Sequence, residues 1–508
     1  MNELISEITE YIRKPVRLEN FVELNRLFTG IERQLALAPS LSAQWENALI
    51  RLFQDVPMHD LYFLYLASAM AELFPKAQYV RLLLDGALCS GVLSTQNREF
   101  VLFQVSSLLF CHPELSSPEL ERLSGELHER TVRELKAQLR ISPRPRAARL
   151  HNRAVVMTAN FLSERHAPTH STLERALVLR QLGKTNVTLI STTEGASSAG
   201  RIPFFRAYAA NRIDAYDDRT SYEYRGESFN FRQLTGSVNT AEVLQQLINY
   251  VEELAPYYIV YVGGRSCVAD ILNDYCPVVT VSTVFSTIPS GNTAFSIVGR
   301  RISEQERAAH ASEIIEVPFS FELSEKKRSY SRAELGIPED AFVMAVVGNR
   351  LDSDIRDDFL SCLGRVENGF LLLIGRYDAY PQKRQQFSWL AERSLAPGYV
   401  DDVTGMLECA DLYVNPRRLG GGFSVIEAFH AGIPAVSVRY GDVAAAAGED
   451  FCVDDYEEML RVIRRYQTDD DFRRSRLLLA KNREQTATDG SRFYREGIAR
   501  MLEHPRFY

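Results

Sequence analysis

Asn415-Pro416-Arg417-Arg418-Leu419-Gly420-Gly421-Gly422-Phe423-Ser424-Val425-Ile426-Glu427-Ala428-Phe429-His430-Ala431-Gly432-Ile433-Pro434 is the stretch whose reading decides the fold. Three consecutive glycines follow a short apolar run and precede a helical pattern, so the backbone there approaches a ligand without Cβ obstruction. Ser424 is expected as the N-cap of a helix running to Ala431, with Gly432 as its stop. The free amides and the positive end of the helix dipole then form a site for a diphosphate. Arg417 and Arg418, just upstream, add charge-assisted bonds to the same anion.

Outward from this turn, apolar runs alternate with helical segments. Ser331-Arg332-Ala333-Glu334 reads as a capping box opening a short helix closed by Gly336 and Pro338. Buried-type strands are expected at Phe342 to Val347, Phe370 to Gly375, Leu412 to Val414 and Pro434 to Val438. An earlier series, Ala154 to Met157, Val187 to Ile190, Tyr258 to Val262 and Val278 to Val281, predicts a second open parallel sheet. Two Rossmann-like domains in tandem place a ligand crevice between the carboxyl ends of their sheets. From Met1 to about Leu139 the period is helical throughout, broken at Pro57, Pro75, Pro113 and Pro118 into six or seven helices. That region is either a packing domain or a concave surface for a protein partner or acceptor. The proline-spaced Ile141 to Arg146 reads as an extended linker. The expected domains are therefore 1–145, all helical; 146–325, Rossmann-like; and 326–508, Rossmann-like.

Composition narrows the classes. The chain has 508 residues, enough for two to four domains, and 58 basic against 66 acidic side chains give a net charge of −8. That balance argues against a surface that tracks nucleic acid. Seven cysteines without a CxxC pair indicate neither a disulfide framework nor a zinc ribbon. Met1 to Pro15 carries Glu3, Glu7, Glu10, Arg13 and Lys14 and lacks the apolar core of a signal peptide, so a cytoplasmic protein without an integral membrane segment is expected.

The glycine turn, the following Glu427 and Gly432-Ile433-Pro434 resemble the nucleotide-sugar signature of GT-B glycosyltransferases. Further markers agree: Ala333-Glu334-Leu335-Gly336-Ile337-Pro338, Gly348-Asn349-Arg350-Leu351, Gly398-Tyr399-Val400-Asp401-Asp402 and Ala410-Asp411-Leu412-Tyr413-Val414-Asn415-Pro416. The resemblance implies an α/β GT-B fold whose later domain binds the donor, with an all-α domain in front. It implies that Glu427 binds the ribose hydroxyls and that the backbone near Tyr399 and Val400 meets the base. Gly420, Gly421, Gly422 and Phe423 would sit at the diphosphate and sugar, with Arg350 on the phosphates; Asn349, Asn415 and Ser424 complete the expected donor-binding set. Two plainer readings stand beside these: a capping box with Ser424 explains Glu427, and an ion pair with Asp354 explains Arg350.

Retaining members of this fold commonly carry two Glu residues flanking the glycine turn, and here the upstream position is Leu419; the usual phosphate-binding Lys after the first strand is also missing. That pattern, with the helical first third, is similar to inverting protein glycosyltransferases of the O-GlcNAc-transferase-like class and the bacterial adhesin N-glucosyltransferases. An inverting reaction needs a base near the acceptor. His170 is the first choice and His166 the second, both in the loop after Met157, with helix capping by Thr169 and Ser171 the plain alternative. Gly263-Gly264-Arg265-Ser266 presents amides to the sugar or acceptor, or is a tight connection; Ser286 to Asn292 also ends a strand.

Other templates fail. Gly183-Lys184-Thr185 lacks the P-loop glycine, its position being Val178; Asp352-Ser353-Asp354 is a chance-level DxD; no GxSxG or HExxH occurs. The expected protein is a glycosyltransferase moving a hexose or N-acetylhexosamine from a nucleotide sugar, UDP-linked, to a protein or glycan acceptor, with no metal ion and no other cofactor. The alternatives are a non-catalytic GT-B-like adaptor and a surface-polysaccharide glycosyltransferase.

Overall fold

The computed structural model describes the whole chain except residues 165, 196–203, 207–211, 237, 239, 285–287, 290, 319, 324–325 and 508, and the side chain at position 55. Seven α-helices fill the first third, from Asn2–Ile12 to Pro118–Lys136. Local signals set their starts: Asp60, Ser94 and Ser117 each accept a backbone N–H of the first turn with their side-chain oxygens, and Pro118 occupies the first helical position after Ser117. Leu61–Leu73 runs through the centre with almost every side chain buried. This core is completed from outside. Phe204 and Phe205, far along the chain, join it: Phe204 stacks on Phe100 at 4.6 Å between ring centroids, and Phe205 donates its amide to Ser68 Oγ at 3.1 Å.

The expected linker is extended but strapped down. Arg144 donates its amide to Tyr275 O at 2.8 Å, and Arg146 Nε donates to Tyr257 Oη at 2.8 Å.

The first sheet holds β1 (Leu150–Thr158), β2 (Asn186–Ser191), β3 (Ser221–Tyr224), β4 (Glu227–Gln233), β5 (Pro256–Val262), β6 (Val278–Val281), β7 (Phe295–Val298) and β8 (Glu313–Glu316). Their order is β3-β4-β2-β1-β5-β6-β7-β8, parallel except for the β3–β4 hairpin at the edge. The second sheet holds β9 (Phe342–Val347), β10 (Gly369–Ile374), β11 (Ser394–Gly398), β12 (Leu412–Asn415), β13 (Ala435–Val438) and β14 (Cys452–Val453), in the order β11-β10-β9-β12-β13-β14, all parallel. Counted from its own first strand, that is the doubly wound order 3-2-1-4-5-6, with a crevice where the order reverses between β9 and β12. The same reversal lies between β1 and β5 in the first sheet.

One local expectation is corrected. Residues 332–336 form turns and no helix: Ser331 Oγ does accept the Glu334 amide at 3.2 Å, but Gly336, in the left-handed region at φ +67°, ends the segment after one turn. The C-terminal segment leaves its own sheet. Phe493, Ile498, Met501 and Phe507 join a core that includes the first sheet, where Phe507 meets Tyr257 at 5.0 Å and Gly497 lies against Ile297.

Candidate functional site

The reversal between β9 and β12 brings two loops together. Tyr413 sits opposite Ala345, so the exit of β9, Gly348-Asn349-Arg350, lies beside the exit of β12, Asn415 to Gly422. Arg418 ties them. Its Nη1 donates to Asp354 Oδ2 at 3.1 Å, its Nη2 to Val347 O at 2.8 Å and Tyr413 Oη at 3.0 Å, and its Nε to Asn415 Oδ1 at 2.8 Å. Asn415 Nδ2 in turn donates to Ser437 Oγ at 3.1 Å and Pro416 O at 2.9 Å. Arg418 and Asn415 are buried and their polar groups are used inside the protein. Contrary to the sequence expectation, they build the turn and leave no free charge for an anion. Gly348 is required beneath this guanidinium, because a Cβ there would lie 2.5 Å from Arg418 Nη1.

The helix spans Gly422–His430, with Gly421 as its N-cap, so it starts two residues before the expected cap. Gly420 and Gly421 have φ of +80° and +81°, the left-handed region that a side chain disfavours. Ser424 lies inside the first turn, where its hydroxyl donates to Gly421 O at 2.7 Å and meets Tyr413 Oη at 2.6 Å. The capping box with Glu427 therefore does not form, which removes the plain explanation of that carboxylate. The first-turn amides of Gly422 and Phe423 have no intrahelical acceptor, whereas that of Ser424 donates to Gly421 O at 3.0 Å. Phe423 packs its ring 5.6 Å from Phe321 of the segment connecting the two sheets.

Arg350 is half-buried and does not pair with Asp354, whose carboxylate Arg418 holds. Its Nη2 donates to Leu419 O at 3.1 Å and its guanidinium lies 4.2 Å over the ring of Phe110, from the helical region. Arg417 is exposed, its guanidinium 4.5 Å over Tyr440 and its amide bonded to Tyr456 Oη. Asn349 is exposed beside Gly375.

The side chain of Glu427 takes no hydrogen bond or ion pair from any described residue. Its half-buried carboxyl is pushed up to about 8, first by burial and then by the nearby charge of Asp402. Asp402 is fixed by the amides of Lys327, Arg328 and Gly405 at 2.7 to 3.0 Å. It ends the loop that begins with Tyr399, 60% exposed, and half-buried Val400. Asp402, at the end of that loop, thus lies close enough to Glu427 for its charge to act on the carboxyl.

The two candidate histidines follow β1 of the first sheet, at the entry of the helix Ala167–Gln181. His166 Nδ1 lies 3.0 Å from Thr169 Oγ1, which also accepts the Leu162 amide at 2.7 Å and reaches Asn160 O at 3.4 Å. With the threonine proton directed to Asn160 O, His166 Nδ1–H is the donor and Nε2 carries the lone pair. His170 turns toward the edge strand: its ring is 6.5 Å from that of Tyr224, and its Nε2 is buried without a partner. Burial holds both imidazoles below their ordinary pKa. Among the described residues, no hydrogen bond, ion pair or ring contact joins either histidine to the glycine turn.

Gly263 and Gly264 follow β5, and Arg265 is drawn away to Glu121 of the helical region at 2.9 Å. The loop Ser286 to Asn292 lies partly outside the described residues. Sequence reasoning missed Glu194, a buried carboxyl just past β2. It accepts hydroxyl protons from Tyr261, Thr192 and Ser266, and burial raises its pKa. The polar run Ser191-Thr192-Thr193-Glu194 at a strand's carboxyl end was the available signal.

The helical region touches both sheets along one side of the crevice. Phe110 and Glu114 reach Arg350 and Arg356 of the second, the latter pair at 2.8 Å. Glu121, His128 and Lys136 reach Arg265, Asp270 and Asp274 of the first. A hollow of about 270 Å³ lined by Leu109, Ser116, Ser117, Pro118 and Glu121 lies between these two sets of contacts along the helical region.

The fold is GT-B: two Rossmann-like domains facing a cleft, behind an all-α region. Residues 346–469 match the model of the family described as glycosyl transferases group 1. The structure of a point mutant of the O-GlcNAc transferase of Thermobaculum terrenum is similar over all of this chain and 97% of that one, at 14% identity and a TM-score of 0.52. A glycosyltransferase from Rickettsia africae is similar over 70% of this chain and 99% of its own, at 10% identity and a TM-score of 0.50. No curated protein sequence matches. Among the described residues no helix is long and apolar enough to cross a membrane.

Proposed function

We propose that the chain is a glycosyltransferase that takes a hexose or N-acetylhexosamine from a UDP-linked donor and passes it to a protein or glycan acceptor in the cleft. The observation that carries this reading is Glu427: a half-buried carboxyl without a side-chain partner among the described residues, directly behind a glycine turn and near Asp402, which ends the Tyr399–Val400 loop. Two ribose hydroxyls donating to it would give the interactions that its surroundings withhold. Its neighbours fit the rest of a nucleotide sugar. The Tyr399–Val400 backbone meets the base; the amides at Gly420 to Phe423, with Arg350 and Arg417, balance the diphosphate.

The reaction is a direct displacement at the anomeric carbon. His166 Nε2 takes the acceptor proton as the acceptor oxygen or nitrogen forms the new bond; the bond to the diphosphate breaks, and the helix-end amides hold the charge that develops there. Bond for bond, the products are the glycosylated acceptor, UDP and a protonated histidine. His166 is preferred to His170 because its Nδ1 is tied while Nε2 is left available; His170 Nε2 is shut inside the protein. The hollow between Leu109 and Glu121 is a place for the acceptor at the edge of the cleft. The likeness of fold to an O-GlcNAc transferase makes UDP-N-acetylglucosamine the first donor to try.

Calorimetry with UDP, GDP and their sugars tests the reading, followed by mass spectrometry of co-expressed proteins and glycans for added sugar. UDP binding with transfer is the expected result. No nucleotide binding would overturn the enzyme reading, and binding without donor turnover on any acceptor would support the non-catalytic adaptor instead.

A further inference from the structure

We propose that Glu99, His128 and Cys267 form a binding site for one zinc-class divalent cation, separate from the sugar-transfer cleft chemistry and spanning the joint between the helical region and the first sheet domain. The three side chains come from three helices: Glu99 from Thr95–Cys111, His128 from Pro118–Lys136, and Cys267 from the start of Cys267–Leu272. One ligand atom from each lies within 4.8 Å of the others. Cys267 Sγ is 3.7 Å from His128 Nδ1 and 2.8 Å from Glu99 Oε1.

Ligand lengths of about 2.3 Å to sulfur and about 2.0 Å to nitrogen, at a tetrahedral angle, put sulfur and nitrogen about 3.6 Å apart. The Cys267–His128 spacing is already of that size. Glu99 sits about 0.8 Å closer to the sulfur than such geometry requires, which is what a thiol proton shared with a carboxylate produces. Binding exchanges that proton for the ion: the Cys267 S–H bond breaks, its proton goes to solvent, and Glu99, half-exposed, has room to withdraw.

The surroundings also suit a metal ligand set. His128 Nε2 is bonded to Asp270 Oδ2 at 2.8 Å, and Asp270 Oδ1 accepts the Asn292 amide at 2.9 Å, so the imidazole is held with Nδ1 toward the sulfur. A carboxylate behind a histidine is the usual outer support of such a ligand. One sulfur, one imidazole and one carboxylate select zinc-class ions over magnesium or calcium, and three protein ligands leave a fourth position for water. The order Cys–His–Asp also resembles a nucleophilic triad. Cys267 is fully buried with Glu99 against its sulfur, so no substrate reaches it.

The test uses the full-length chain, freed of metal by a chelator under reducing conditions and titrated anaerobically with Co2+. The expected result is a thiolate-to-cobalt charge-transfer band that saturates at one equivalent and disappears on adding Zn2+. Cys267→Ser should lose the band. Glu99→Gln, at a half-exposed position that folding tolerates, should weaken Co2+ binding about tenfold or more. Zn2+ should raise the melting temperature of the wild type and not that of Cys267→Ser. Absence of the band in the wild type would overturn the proposal. So would a band that survives in Cys267→Ser, which would place the metal on exposed Cys89 or Cys111.

Discussion

Arg418 and Asp354 form an ion pair at 3.1 Å with both side chains shut away from solvent, and the pair joins the exits of β9 and β12. A buried charge left alone is far more costly than the pair itself is stabilising. Arg418→Met is therefore expected to lower unfolding stability by about 3–5 kcal/mol, read in urea titrations. Full stability with lost nucleotide binding would show instead that Arg418 serves the ligand.

Glu427 is expected to behave in the opposite way. Glu427→Gln should weaken UDP binding by about 10- to 100-fold, the worth of one or two hydrogen bonds to a charged acceptor, measured by calorimetry. An affinity equal to the wild type would remove Glu427 from the site.

The same carboxyl sets a pH dependence. With its folded pKa near 8 and an unfolded value of about 4.3, the ligand-free fold holds more protons than the unfolded chain between these limits. Its contribution is full below about pH 4 and is lost as pH rises through 8. Glu427→Gln should accordingly be the more stable protein at pH 8, by on the order of 2 kcal/mol after screening by solvent, with no such difference at pH 4. Ribose hydroxyls favour the ionised form. UDP affinity should thus rise from pH 6 to 8, with proton release visible in buffers of different ionisation enthalpy; an affinity that falls over this range would contradict the assignment.

For the base, His166→Ala should reduce turnover by about 10²- to 10⁴-fold with UDP binding unchanged. His170→Ala should cost far less. Rates in the reverse order would restore the first choice made from sequence.

Removing residues 1–140 should yield aggregated protein, because Phe204 and Phe205 lose the core that covers them. Size-exclusion chromatography of the truncated chain checks this, and a monodisperse, nucleotide-binding fragment would refute it.

The sequence made the glycine turn, the crevice and the two parallel sheets legible because continuous apolar runs such as Phe370 to Ile374 are buried on both faces. It hid the strands that lack this pattern. β11 is half-exposed and contains Pro397, β14 has two residues, and the β3–β4 hairpin alternates polar and apolar residues around Arg225-Gly226, both at positive φ. At the site, the family resemblance is what singled out Glu427, and the polar groups of Ser424, Asn415 and Arg418, expected to face a ligand, are used inside the protein. Whether a polar side chain faces a ligand or its own backbone depends on where Tyr413, Val347 and Asp354 lie, and no local pattern carries that.

The helical region is fastened unequally to the two sheets. Toward the second it offers the exposed Glu114–Arg356 pair and Phe110 against Arg350, contacts of about 1 kcal/mol or less each. Toward the first it offers the buried His128–Asp270 bond and the Phe204–Phe205 plug. A relative movement of the two sheets would therefore strain the contacts to the second sheet first, while residues 1–140 are built to stay with the first.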